Sequence, residues 1–516
     1  MSRRRIQMSQ LTRRDAISVL GAGAGLAVGC QRAAPPSSGS NESSGERGRS
    51  DLAFLPAVDQ AALVRRREIS PVELVTACLD RIERLNPQLR AFVTIAAERA
   101  LDEARRMERE FSGAGDDLPS FWGVPISIKD ITPTAGIRTT YSSKVFADWI
   151  PDEDHPVVAR IKRAGFIVVG KTNVPEFATS FTESELNGVC RNPWDRTRTP
   201  GGSSGGAAAA VAAGLGAVAH GNDFGGSIRV PASFCGLVGL KASRGRVAFG
   251  PTFQDVWGNS HVEGALTRTV ADCATLLDVM VGHFQQEPHW GPAPERPFLE
   301  EVGRSSGRLR VAVSTEAPLG TTEVECANAA HAAATLIESI GHDVEEATPD
   351  WARIQETASA MSGPGLGALV EGSDVDRLEP RNRAMWRAAQ DVTVVDSLRV
   401  LPRAHAARRT FLEFWDTYDV LVTPTCGIEP PAVGWARWDQ SPEEHRATFG
   451  TFPNFPQPFN LSGQPAISLP LHWSSKGMPI GVQIVGRVFD EATLIRLAAE
   501  LEQVSPWADR TPTMEG

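Results

Sequence analysis

Apolar positions along the chain recur with two periods. Val124, Ile126 and Ile128 alternate with Ser127 and Lys129, the period-two signature of a strand. Short apolar runs at Phe166–Val169, Leu309–Val313, Val420–Val422, Ala466–Leu469 and Gly481–Val485 read as further strands. Helical spacing lies between several of them, as over Cys326–Ile340 and Ala492–Gln503. Ser70-Pro71-Val72-Glu73 is a capping box with proline at the first helical position. It opens a helix expected to run to about Leu85 and to stop at Asn86-Pro87, and a second helix is expected from about Thr94 to Phe111. Strands interleaved with helices predict an α/β protein: a mixed β-sheet core flanked by α-helices.

The segment from Pro200 to Lys241 breaks this pattern and carries the candidate chemistry. Two serine-glycine loops, Gly201–Gly206 and Gly225–Ser227, are separated by a run of small residues. Glycine lets backbone N–H groups approach a ligand closely. The Ala207–Ala213 run reads as a tightly packed helix, and a loop feeding such a helix aims N–H groups at a developing negative charge. Ser203, Ser204 and Ser227 are the nucleophile candidates in these loops.

Two short patterns point elsewhere and fail on context. Gly165–Thr172 matches GxxxxGK[ST], but its middle residues, Phe166–Val169, are apolar and read as a buried strand rather than a phosphate-binding turn. Gly201–Gly205 matches GxSxG, the nucleophile elbow of Ser-His-Asp hydrolases, which must follow a core strand. The preceding Asn192–Pro200 holds two prolines and several charges, so it is no central strand. His220, the nearest histidine, reads as structural.

Composition narrows the class. A chain of 516 residues with 41% hydrophobic and 22% charged content buries an ample core. The net charge is −10, with no basic cluster beyond the N-terminus, which argues against nucleic acid as a partner. Besides Cys30, the cysteines form no CxxC and no Cys/His cluster at zinc spacing, and they read as buried free thiols. At the N-terminus, Arg3–Arg5 and the twin Arg13-Arg14 precede an apolar run, Ala16–Gly29, too short to span a bilayer. Residues 1–29 are therefore expected to be a twin-arginine export signal. Leu26–Cys30 resembles a lipobox with Cys30 as the lipidated residue, residues 30–50 read as a disordered tether, and residues 51–516 as the catalytic domain.

GGSSGG at Gly201–Gly206, DxGGSIRxPA at Asp223–Ala232 and GxxGxK at Gly236–Lys241 resemble the amidase signature family. So do GVPISIKD (Gly123–Asp130), GKTNVPEFA (Gly170–Ala178), NPWDRTRTP (Asn192–Pro200), FNLSGQPAISLPL (Phe459–Leu471) and GMPIGVQIVG (Gly477–Gly486). The likeness covers about Ala57 to Pro512 and is weak from about Gln285 to Gly450. It implies the amidase signature fold and hydrolysis of a carbon–nitrogen bond through an acyl-serine, without metal or cofactor. It assigns Ser227 as nucleophile, Ser203, after a cis peptide bond, as bridging serine and Lys129 as base. Backbone N–H groups of Phe224, Gly225, Gly226 and Ser227 are expected to form the oxyanion hole, supported by Ser204, Asp223 and Arg229. A lysine at its ordinary pKa of about 10.4 is protonated and no base, so burial has to depress it. Asn222 and Phe224 stand where threonine is frequent in the family, and Arg196 where proline is.

The implied partner is a small-molecule substrate: an amide, aryl amide, oligoamide or carbamate. A glutaminase subunit of an amidotransferase is the reading that an export signal disfavours. An exported solute-binding lipoprotein, a different class, has no need of Lys129, Ser203 and Ser227 together. Oligomeric state, including a homo-oligomer, stays open. Trp351, Met361, Trp386, Trp415, Phe452 and Phe455 read as core, with an apolar pocket wall as the other reading. Replacing Arg13 and Arg14 by lysine is expected to leave the protein in the cytoplasm on cell fractionation, and Cys30→Ala to release it from the membrane; full export of the first variant, or membrane retention of the second, would refute the corresponding expectation.

Overall fold

A computed structural model describes residues 52–111, 118–250, 260–282, 290–352, 354 and 363–514. The expected export signal, Cys30, the tether and Met361 lie outside the described residues. One mixed sheet dominates, with eleven strands among the described residues. In chain order they are β1 (Phe92–Ile95), β2 (Pro125–Lys129), β3 (Ile167–Thr172), β4 (Val218–Asp223), β5 (Val238–Lys241) and β6 (Val262–Thr267), then β7 (Arg310–Val313), β8 (Asp343–Glu346), β9 (Val420–Pro424), β10 (Ala466–Trp473) and β11 (Pro479–Val485). Their order across the sheet is β1-β3-β2-β4-β6-β5-β10-β11-β9-β7-β8. β2 runs parallel to both β3 and β4, while β4, β6, β5, β10, β11 and β9 follow one another antiparallel. This is the expected α/β architecture of a mixed sheet covered by helices.

Several expected boundaries move. The helix opened by Ser70, α1 (Pro71–Leu89), does carry its capping box but runs through Pro87. Pro87 falls in the last turn, and the turn is closed around it: Arg90 N–H donates to Asn86 O, and the Asn86 side chain exchanges two hydrogen bonds with the Phe92 backbone. The next helix, α2 (Ala97–Phe111), starts three residues later than expected. Thr94 and Ile95 belong to β1 instead, paired with Lys171 and Gly170 of β3. Strand pairing there overrides the helical composition that follows.

β2 is central, not at an edge. All five of its residues are buried, and Pro125 is tolerated as its first residue. The GxxxxGK[ST] segment forms β3, also buried throughout. Its Lys171 donates to Thr132 O and to the Thr134 and Thr139 hydroxyls, which fastens the chain after β2. No exposed phosphate-binding turn exists in it.

The small-residue run forms α3 (Gly205–Ala212), in which every residue is buried. Ala207, Ala208, Val211 and Ala212 pack with Ala219 of β4, Leu266 of β6, and Ile228, Ala232 and Cys235 in and beside α4 (Arg229–Cys235). α4 begins two residues before Pro231. The remaining covering helices include α5 (Val324–Ser339), α6 (Pro380–Gln390) and α7 (Glu491–Val504). Six cysteines, Cys78, Cys190, Cys235, Cys273, Cys326 and Cys426, are buried and free. Trp351, Trp415 and Phe455 are core residues, and Trp386 packs, half-buried, on a small apolar cluster.

Side-chain size is limiting at the start of α3. A Cβ on Gly206 would lie 2.3 Å from Asn173 N and 2.6 Å from both Ala91 O and Asn173 O. These are backbone atoms of a hydrogen-bonded strand end, which cannot yield cheaply. Gly206→Ala is expected to destabilise the fold by about 3 kcal/mol, read as a fall in thermal midpoint or in soluble yield; an unchanged midpoint would show that the helix does not seat there.

Candidate active site

The carboxyl ends of two neighbouring parallel strands deliver the first groups of the site. β2 ends at Lys129 and β4 at Asp223, and the two strands pair through Ser127 and Ala219. Lys129 Nζ therefore comes to lie over the last residues of β4. It is fully buried, 2.7 Å from Ser203 Oγ, 2.6 Å from Asn222 Oδ1 and 3.3 Å from Asn222 O. Burial pushes its ammonium down to about 7, against the opposing pull of the Glu263 and Asp223 carboxylates.

The two serine-glycine loops meet beside that lysine. The Gly202–Ser203 peptide is cis, as the family resemblance implies. Ser204 joins the loops: its N–H donates to Ser227 O at 3.1 Å, and its hydroxyl donates to Asn222 O at 3.3 Å. Ser227 follows Gly226, which has a φ of 122° that a side chain would rarely tolerate. The Ser227 side chain has no hydrogen-bond partner among the described residues, and it lines the same cavity as Ser203.

A buried ion pair holds the Gly225–Ser227 loop. Arg229 donates to both Asp223 oxygens, from Nε at 3.0 Å and Nη2 at 2.8 Å, with both residues fully buried. Burial alone would raise the Asp223 pKa, but Arg229 and further hydrogen bonds hold it well below the usual carboxylate range. The remaining guanidinium hydrogens go to Pro456 O, Gln483 Oε1 and Asn460 Oδ1. Asn460 Nδ2 returns a hydrogen bond to Asp223. Asn460 and Gln483 stand more than two hundred residues away in sequence, and no local spacing pointed to them.

The same carboxylate changes the expected oxyanion hole. Gly226 N–H donates to Asp223 Oδ1 at 2.8 Å, and Ile228 N–H to Asp223 Oδ2 at 3.1 Å. Gly226 was expected to face an oxyanion, but its N–H is turned inward to complete the coordination of a buried anion. Of the other expected donors, Gly225 and Ser227 have N–H groups with no acceptor among the described residues, and Phe224 lines the cavity with them.

The cavity measures about 420 Å³. Phe177, Phe181, Val230, Met385, Phe449 and Phe452 form much of its wall, with Asn454, Gln457 and His261 as polar positions. None of its described lining residues is Asp, Glu, Lys or Arg. Phe452, read as core from the chain, is both buried and part of this wall. Behind His261 lies Glu263, buried, taking His220 Nε2 at 2.7 Å and His261 Nε2 at 3.1 Å. Burial alone would raise the Glu263 pKa; the two imidazoles bring it well below its usual value. His220 is thus a structural partner of Glu263 and does not line the cavity.

Comparison with known proteins agrees with this geometry. The family model Amidase matches residues 73–495. A putative amidase, AmiB2, of Mycobacterium tuberculosis is 38% identical over 90% of this chain and 99% of its own. The 6-aminohexanoate-cyclic-dimer hydrolase of Paenarthrobacter ureafaciens is 39% identical over 89% of this chain and 96% of its own. A solved structure of a 6-aminohexanoate cyclic dimer hydrolase with its substrate superposes with a TM-score of 0.83 at 36% identity, covering 90% of this chain and 99% of that one. With a family match over most of its length, a shared sheet and serine-glycine loops packed against a buried lysine, the chain belongs to the amidase family.

Proposed function

We propose that the protein hydrolyses the C–N bond of an uncharged, largely apolar amide through an acyl-serine on Ser227. The observation that carries this is Lys129 Nζ at 2.7 Å from Ser203 Oγ, in the wall of a cavity that also contains Ser227. A lysine whose pKa is pushed to about 7 is substantially neutral at physiological pH and can accept a proton.

In the first step, Ser227 Oγ bonds to the substrate carbonyl carbon. Its proton passes to Ser203 Oγ, while the Ser203 proton passes to Lys129 Nζ. The carbonyl π electrons move onto oxygen, and the Gly225 and Ser227 N–H groups are available to donate hydrogen bonds to the resulting oxyanion. Collapse of the tetrahedral species breaks the C–N bond, and the proton returns from Lys129 through Ser203 to the leaving nitrogen. Water then repeats the sequence on the ester and frees the acid. Substrate binding must bring Ser227 Oγ onto Ser203; hydrogen bonds of this kind commonly tighten only in the Michaelis complex.

The wall supports the substrate class. A glutaminase has to hold an α-carboxylate and an α-ammonium, and none of the described lining residues is Arg, Lys, Asp or Glu. A neutral amide with apolar flanks suits six apolar side chains and a few hydrogen-bonding positions. The similarity to a cyclic-dimer hydrolase supports the same class. The N-terminal pattern supports a location outside the cytoplasm, with Cys30 as the membrane tether.

Ser227→Ala is expected to abolish labelling by a fluorophosphonate and to lower amide hydrolysis by about 10⁴-fold or more. Ser203→Ala is expected to slow both by about 10²–10⁴-fold while leaving Ser227 the labelled residue. For the native enzyme, kcat/KM on a neutral aryl amide should rise with pH through about 7, as Lys129 loses its proton, and level off above it. An adduct on Ser203, or a rate falling from pH 6 to pH 9 with the fold intact, would refute the assignment.

A further inference from the structure

We infer that Asn222 is the positioning residue that orients Lys129 toward Ser203, and this rests on Lys129 being the base of the proposed reaction. Lys129 Nζ has three neighbours among the described residues: Ser203 Oγ, Asn222 Oδ1 and Asn222 O. A neutral amine has two N–H bonds and one lone pair. Both Asn222 oxygens can only accept, so they take the two hydrogens. The lone pair then has one direction left, toward the Ser203 hydroxyl, whose proton it must receive. Asn222 thereby does for the lysine what a third group does for the base of other serine enzymes.

The choice of an amide, not a carboxylate, belongs to the same design. An aspartate here would accept the same hydrogens, but its charge would hold the lysine protonated. The other charged groups around Lys129 are already engaged. Asp223, next along β4, is tied to Arg229; Glu263, opposite Asn222 on β6, is tied to His220 and His261. On β3, Lys171 is turned to the Thr132–Thr139 segment. Asn222 supplies acceptors without adding charge. Its Nδ2 has no acceptor among the described residues, and the residue lines the cavity, so the amide is held at its oxygen end and turned to the substrate space at the other.

The test compares Asn222→Asp, Asn222→Leu and Asn222→Thr with the native enzyme. Two quantities are read over pH 5 to 10: kcat and KM on a neutral aryl amide, and the rate of Ser227 labelling by a fluorophosphonate. Asn222→Asp should move the acidic limb of both profiles up by at least about one pH unit. That is a loss of about fivefold or more at pH 7, with the rate recovered near pH 10. Asn222→Leu, which has no acceptor, should lose kcat by tenfold or more with KM within about twofold. Asn222→Thr should recover part of that loss. A merely structural asparagine would lower the thermal midpoint in all three variants without moving the limb. Coincidence of the Asp and native limbs, or full kcat in the Leu variant, overturns the inference; should the Asp variant fail to fold, equal kcat for Leu and Thr overturns it too. Lys129→Met separates the levels: labelling at the native rate removes the lysine-base reading and this inference together, whereas a silent Lys129→Met with an unshifted Asp limb removes the inference alone.

Discussion

The site depends on one buried ion pair. Asp223 and Arg229 lie six residues apart, at the end of β4 and the start of α4, and both are shut off from solvent. Such a pair is tolerable only when its remaining hydrogen-bonding capacity is filled, and removing one partner typically costs about 3–5 kcal/mol. Here the remaining capacity is filled by the loop that carries Ser227 and by the C-terminal third of the chain. The carboxylate takes the Gly226 and Ile228 N–H groups; the guanidinium takes Pro456 O, Asn460 and Gln483. The turn that presents Ser227 is thus shaped by an anion beneath it, and the arginine that neutralises that anion is held by residues more than two hundred positions away. Loop geometry and the completeness of the fold become the same constraint.

A second electrostatic balance acts one strand away. Burial drives Lys129 toward neutrality, and the Glu263 and Asp223 carboxylates drive it back. If either carboxylate were unpaired, its pull in a low-dielectric interior would be far larger. Arg229 discharges Asp223, and the imidazoles of His220 and His261 face Glu263. The groups that look structural in isolation therefore act together on one proton affinity.

Much of this was legible in the chain, and the parts that were not share a cause. The alternation at Val124–Lys129 marked a strand ending in a lysine; glycine, serine and alanine in sequence marked two tight loops around a packed helix. These signals are local, carried by side-chain size and spacing. Thr94 and Ile95 looked helical because their strand partner, Lys171–Gly170, is nowhere near in sequence. Pro87 looked like a stop because the side chain of Asn86, which closes the turn around it, acts only once Phe92 has folded back. The Gly226 N–H looked available because the sequence shows four consecutive backbone donors and not the carboxylate that claims one of them. Each miss is a contact whose two halves are brought together only by the fold.

The same distinction separates chemistry from specificity. Lys129, Asn222 and Ser227 stand on the sheet or on loops tied directly to it, where backbone hydrogen bonds leave little freedom. The opposite wall of the cavity comes from elsewhere: Met385 from α6, and His445 and Phe449 from the helix Pro442–Phe449. Those helices belong to the region whose sequence resembles the family least. α6 docks through its buried Arg381 and Asn382, which bond Thr179 and Glu176, and none of these four residues hydrogen-bonds the Asp223–Arg229 pair or Lys129. Charge in that wall would be a different matter. Set into an apolar surface within reach of a half-neutral lysine, it would alter both which substrates enter and how readily Lys129 takes a proton. A wall without Asp, Glu, Lys or Arg therefore fits both parts of the proposal: entry of neutral amides, and a Lys129 poised near pH 7.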